Sequence, residues 1–147
     1  MCSSDLRVLV VTRSPGHQQL AREMGASWAG EDFSSLPQKP DAAILFAPSG
    51  KLVPPIMESL APGGILALAD IVMSDVPPLE YQRHLFHDKE ICSVESNTRD
   101  DGREFLAQAA AAQVKPRIKT YPLEDANRAL LEMKQSRIDG TGVLLIP

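Results

Sequence analysis

Four apolar, mostly β-branched residues, Val8 to Val11, run directly into Thr12, Arg13 and Ser14. An arginine flanked by hydroxyls can hold a phosphate, because its planar guanidinium presents paired N–H donors that match phosphate oxygens. The run reads as a strand buried on both faces, as in a parallel sheet, and the turn Thr12 to Gly16 opens a helix at His17 to Met24. In a dinucleotide-binding βαβ unit, that strand tip is where the adenosine ribose is read. An acidic residue there accepts from the 2′-hydroxyl and selects NAD, whereas Arg13 with Ser14 suits the 2′-phosphate of NADP. No Gly-x-Gly-x-x-Gly loop precedes the run. The expectation is a nucleotide-binding unit without its first strand and helix.

Other residues with chemical potential form weaker patterns. His84 and His87 stand three apart on an expected helix, with Asp88 next and Cys92 beyond. The spacing could offer two imidazoles to a metal, yet Cys92 falls inside an apolar strand pattern, so a solvated helix face is expected and no metal. Gly63-Gly64 reads as a tight turn, because no lysine or hydroxyl follows to complete a phosphate site. No Gly-x-Ser-x-Gly elbow follows any strand, which removes a serine–histidine–acid triad.

Regular elements must position these residues. After the first helix, Gly25 stands where a left-handed helix stop belongs, and Ser27 to Ala29 is a short strand. Asp32 or Ser34 opens a brief turn. Asp41 to Ala47, bounded by Pro40 and Pro48, reads as a strand apolar on both faces. A helix follows over Pro54 to Leu60, then a turn at Ala61 to Gly64 and a buried strand over Ile65 to Val72. Pro77 to His87 is a loop and helix, and Ile91 to Val94 is a further buried strand. Arg99 to Gly102 turns into an alanine-rich helix, Arg103 to Ala112. Arg117 to Tyr121 alternates like a strand with one wet face. Leu123 to Lys134 is an amphipathic helix with Ala126, Leu130 and Met133 on its stripe, and Gly142 to Ile146 closes the chain as a strand. Strands alternating with helices mean an α/β fold with a mostly parallel sheet.

Composition narrows the function classes. The 147 residues suit one domain by size, and 44% apolar with 23% charged residues is ordinary for a globular chain. A net charge of -4 with no basic cluster argues against nucleic acid. No apolar run approaches the roughly 18 residues that a membrane span needs. Two cysteines, Cys2 and Cys92, and no signal-peptide pattern fit a reducing, cytoplasmic setting. Residues 1–6 are read as a foreign tail, since Cys-Ser-Ser-Asp-Leu resembles sequencing-adapter read-through; Cys2 within it is an irrelevant thiol and Ser3-Ser4-Asp5 a disordered tip.

Taken in order, these segments resemble the last part of zinc-dependent alcohol dehydrogenases, the medium-chain dehydrogenase/reductase family. The resemblance runs from Arg7 to Pro147 and rests on Val11-Thr-Arg-Ser-Pro15, Leu20-Ala-Arg-Glu-Met-Gly-Ala26, Leu60-Ala-Pro-Gly-Gly64, Ser96-Asn-Thr-Arg-Asp100 and Tyr121-Pro-Leu-Glu-Asp-Ala-Asn127. The closing block, through Ile138-Asp-Gly140 to Pro147, is its most specific part. The resemblance implies a partial Rossmann domain over residues 7–112, a doubly wound parallel sheet lacking its first βα unit. Residues 113–147 would then return to an absent catalytic domain.

The resemblance also implies a partial cofactor site. Thr12, Arg13 and Ser14 match the turn that reads the 2′-phosphate in NADP-preferring members. Ala47 and Pro48 match backbone near the cofactor ribose. Ala69, Asp70 and Ile71 match the strand end facing the nicotinamide carboxamide, with Asp70 standing where a small residue is usual. Thr98 and Arg99 match a motif that approaches the nicotinamide ribose and diphosphate, although Arg99 could instead pair with Asp100 or Asp101. The implied parent interconverts alcohols and aldehydes or ketones by hydride transfer with NADP(H) in preference to NAD(H), with zinc held outside this chain. This chain alone is expected to bind cofactor weakly and to be inactive. A homo-oligomer through the sheet edge is implied by analogy. Two rivals stay open: a zinc-free, quinone-oxidoreductase-like member of the superfamily, and a stand-alone nucleotide-binding module without catalysis.

Overall fold

The computed structural model describes residues 6–147. The expected tail and Cys2 thus lie outside the described residues, save Leu6. The chain divides into two compact units, Met1–Ser96 and Asn97–Pro147.

In the first unit, β1 (Leu9–Val11) pairs in parallel with β2 (Trp28–Gly30) across α1 (Pro15–Glu23). The helix begins two residues before the expected His17, because Ser14 caps it and Pro15 fills a first-turn position that needs no N–H. It ends in a Schellman motif: Gly25 adopts φ +100°, its N–H reaches Arg22 O at 3.1 Å, and the Ala26 N–H reaches Ala21 O at 2.9 Å. Asp32 caps a single 3₁₀ turn over Phe33–Ser35.

A second parallel sheet has the order β3-β4-β5, formed by Ala42–Leu45, Ile65–Leu68 and Glu90–Ser93. Between β3 and β4 lies α2 (Val53–Ser59), whose Val53, Ile56 and Met57, with Leu60 just after, make one buried stripe at helical spacing. Leu45 and Leu66 complete that core, with Ala43, Leu68 and Ile91 packed against it. These alternate strand residues form the covered face. The opposite face is open: Ile44 is 62% exposed, and Ala42, Ile65, Glu90 and Cys92 are exposed too. Burial of these strands on both faces is therefore corrected, as is the enclosed position expected for Cys92. The apolar pattern is real, but the core it forms with α2, joined by Phe33, Leu52, Met73, Leu79 and Leu85, lies on the face of Leu45 and Leu66.

Two further differences have local causes. The strand expected to reach Val72 stops at Leu68, because Asp70 Oδ1 accepts from the Val72 N–H at 2.8 Å and turns the chain out of the ladder. The helix expected before His87 is one π-turn, Tyr81–Leu85, and His84 is buried at 5% exposure rather than solvated. Its Nδ1 accepts from the Glu80 N–H at 2.8 Å, which makes it a cap for that turn.

The second unit contains α3 (Arg99–Ala111), the parallel pair β6 (Ile118–Pro122) and β7 (Thr141–Leu145), and α4 (Ala126–Lys134) between them. α3 starts four residues before the expected Arg103. A capping box explains this: the Asp101 N–H donates to Thr98 Oγ1 at 3.1 Å and the Thr98 N–H to Asp101 Oδ2 at 2.7 Å. In α4 the expected stripe is rotated. Ala126, Ala129 and Glu132 are half-buried, whereas Leu130 and Met133 are exposed. The Tyr121 hydroxyl donates to Glu132 Oε2 at 2.6 Å, as does Lys119 Nζ at 2.6 Å. Those two bonds set which way the helix faces.

Candidate functional site

The strand ends of the first unit carry most of the expected cofactor residues. At the end of β1, Thr12 is fixed twice: its N–H donates to Gly30 O at 2.8 Å, and its carbonyl accepts from Gln18 Nε2 at 2.8 Å. Arg13 follows on this anchored base, exposed, with no described residue bonded to its guanidinium. Ser14 Oγ accepts from the His17 N–H at 3.4 Å, so the α1 N-terminus opens beside Arg13. A helix N-terminus and an uncommitted guanidinium both favour an anion.

At the ends of β3 and β4, Ala47 and Pro48 are exposed, and the Ala69 N–H donates to Leu45 O at 2.9 Å. These two strand ends are therefore neighbours. Asp70 Oδ1 accepts from the Val72 N–H, which fixes one oxygen of its carboxylate. Ile71 beside it projects fully into solvent.

One connection in this region had no signal in the sequence. The Gly50 N–H donates to Ser74 Oγ at 3.0 Å, and a Cβ on Gly50 would overlap the carbonyls of Ser74 and Asp75. The turn after β3 and the loop after β4 thus touch through a position that only glycine fills.

Thr98 and Arg99 belong to the second unit. Thr98 is the α3 cap, and Asp100 and Asp101 are engaged with Arg103 and Thr98, leaving Arg99 without a partner among the described residues. The Thr98 hydroxyl bond holds the Asp101 carboxyl below its usual range. In the first unit, the bond to Arg83 lowers Glu58, and burial lowers Lys89, whose ammonium reaches Met57 O. Among the described residues no group of three or more His, Cys, Asp or Glu side chains could hold a metal ion. No helix among them is long and apolar enough to cross a membrane.

Known proteins resemble this chain in sequence and fold. Over 137 residues the sequence is 47% identical to a probable alcohol dehydrogenase, AdhA, of Mycobacterium tuberculosis, covering 93% of this chain. The chain is a homologue of the alcohol dehydrogenases. An alcohol dehydrogenase of Geobacillus stearothermophilus is 28% identical over 95% of the chain. A solved alcohol dehydrogenase zinc-binding domain protein from Burkholderia ambifaria superposes with a TM-score of 0.79 at 17% identity, covering 96% of this chain and 42% of that one. The match in structure confirms a Rossmann-like α/β fold with parallel sheets. This chain spans 40% and 43% of the two sequence relatives' lengths, about two fifths. No protein-family model matches the sequence.

Proposed function

We propose that this chain supplies the adenosine-reading part of an oxidoreductase that interconverts alcohols and aldehydes or ketones, with NADP(H) preferred over NAD(H). The observation that carries the cofactor preference is Arg13: anchored below by Thr12, without a partner among the described residues, and set against the N-terminus of α1. Its fork would hold the 2′-phosphate, and the Ser14 hydroxyl, which can donate while its oxygen accepts from His17, would supply a second bond. When bound, the nicotinamide supplies or accepts the hydride. Ala47, Pro48, Ala69, Asp70 and Ile71, all in the first unit, would wall the nicotinamide ribose and carboxamide. The Asp70 carboxylate, fixed by the Val72 N–H through one oxygen, would keep its charge at the strand end. The described residues lack a metal-ligand set, so zinc would be held by other parts of such an enzyme. A Gly-x-Gly-x-x-Gly loop is also absent from the sequence, which supports weak cofactor binding and no turnover by this chain alone.

The test uses the adenosine end of the cofactor alone. Adenosine 2′,5′-bisphosphate titrated into the chain should shift the amide resonances of Thr12 to His17, and adenosine 5′-monophosphate should leave them in place. Arg13→Ala should remove the response. Equal shifts from both nucleotides, or a response that survives Arg13→Ala, would overturn the NADP preference.

A further inference from the structure

The two sheets of the first unit carry opposite charges at their strand ends. On the β1-β2 sheet the charge is Arg13, which follows β1 beside the N-terminus of α1. On the β3-β4-β5 sheet it is Asp70, two residues beyond β4. β4 is the central strand of its three. The Ala69 N–H donates to Leu45 O at 2.9 Å on one side of it, and the Val94 N–H donates to Leu68 O at 3.0 Å on the other. Asp70 therefore stands at the carboxyl end of the middle of a parallel sheet, the end at which open α/β sheets take their ligands.

The Asp70 carboxylate is half-buried, and only one of its oxygens is engaged. Oδ1 accepts from the Val72 N–H at 2.8 Å, which holds the group at the strand end. Among the described residues no donor reaches Oδ2, and no ion pair includes Asp70. The residues around it in the chain, Leu68, Ala69, Ile71 and Val72, are apolar, and Ala47 and Pro48 at the end of the adjoining strand carry no charge. A carboxylate stripped of part of its water and given no counter-ion favours a cation beside it. A nicotinamide dinucleotide phosphate has the complementary polarity. Its adenosine 2′-phosphate is anionic, and its nicotinamide ring is cationic when oxidised and uncharged when reduced.

We propose that Asp70 makes these strand ends discriminate between the redox states of the cofactor, holding the oxidised form more tightly than the reduced one. The inference rests on the reading above, in which the dinucleotide lies along these strand ends with its adenosine at Arg13. Arg13 selects the cofactor by its phosphate, and Asp70 selects its form by the charge of the ring. In a partly wetted site, one such charge pair corresponds to a preference on the order of tenfold. The bond from Val72 fixes the carboxylate before any ligand arrives, so little ordering is left to oppose that preference.

Oxidised and reduced NADP, titrated separately into the whole chain, test this through its amide resonances. Both should shift Thr12 to His17 and Ala69 to Val72, with the oxidised form bound on the order of tenfold more tightly. Raising salt from about 0.05 to about 1 M should narrow that ratio, a check that needs no substitution. Asp70→Asn keeps an acceptor for the Val72 N–H and removes the charge. It should bring the two affinities within about twofold of each other while Thr12 to His17 still respond. Equal affinities in the unaltered chain, a ratio indifferent to salt, or a preference that survives Asp70→Asn overturns the proposal and leaves the Arg13 reading standing. Adenosine 2′,5′-bisphosphate separates the two. If it moves Thr12 to His17 but neither dinucleotide moves Ala69 to Val72, the role of Asp70 falls alone. No response to the bisphosphate overturns the adenosine reading and this proposal with it.

Discussion

The first unit holds its helix against its sheet with Leu45, Val53, Ile56, Met57, Leu60 and Leu66, all buried. The second does the same job around one ring. Tyr121 is 1% exposed, its hydroxyl bonds Glu132, and Lys119 and Arg128 lie over its face at 5.3 and 5.5 Å. A parallel strand-helix-strand motif can thus be fixed by many weak apolar contacts or by a few directional ones. The first arrangement spreads the loss from any one change, and the second concentrates it.

The largest expected effect tests the apolar half. Met57→Ala should cost about 2–5 kcal/mol, read as a fall in the urea midpoint of the first unit, because no neighbouring chain collapses easily into a packed core. A cost below about 1 kcal/mol would break the contrast. Next comes Tyr121 in the second unit. Tyr121→Ala should cost about 3 kcal/mol and Tyr121→Phe about 1 kcal/mol, since the ring packs while the hydroxyl contributes one net hydrogen bond. If Phe costs as much as Ala, the directional bonds dominate even the ring.

Acid and base should then separate the two halves. The bond from Lys119, and next that from Tyr121, hold Glu132 below the usual carboxylate range. A depressed carboxyl stabilises the fold above its unfolded pKa and loses that contribution as pH falls through the folded one. The second unit's melting temperature should therefore drop as pH is taken from about 5 toward 3. Burial, ahead of the Glu132 bond, raises the Tyr121 phenol, so its contribution is present below about pH 10 and is lost as pH rises further. Glu132→Gln should flatten the acid limb.

The smallest effect concerns helix stops. α1 ends on Gly25, whereas α3 and α4 end on Gln113 and Ser136, both at positive φ in the same Schellman pattern. Left-handed backbone costs a side-chain-bearing residue about 1–2 kcal/mol, partly offset by glycine's greater freedom when unfolded. Ser136→Gly should gain about 0.5 kcal/mol in a urea melt. No gain would mean that the stop is already relaxed.

What the sequence displayed depended on the range of the forces involved. Ser14, Pro15, Gly25 and the strand runs around Val10, Ile44 and Leu66 act locally, and their elements fall within a few residues of expectation. The face covered by α2 was visible as a helical stripe. Which sheet face stays open was not, because apolar residues on both sides look alike until the cover is placed. The rotation of α4 was hidden for another reason. Leu130 and Met133 formed a convincing stripe, and a carboxylate turned inward by a tyrosine and a lysine eleven and thirteen residues earlier has no periodic signature. Among the candidate residues, Arg13 and Asp70 stood out by type, but only geometry distinguished a guanidinium with no partner among the described residues from a carboxylate bound to nearby backbone.

Gly50 gives the strand ends around Pro48 and Asp70 a shared fate. Its missing side chain lets two connections, one from each of adjacent strands, rest directly on each other, and Ser74 latches them. A methyl group there would act as a wedge, parting Pro48 from the segment that carries Asp70 and Ile71 without touching either. The spacing between those two segments is thereby gauged by a residue that belongs to neither, since even one added carbon would overlap the carbonyls of Ser74 and Asp75.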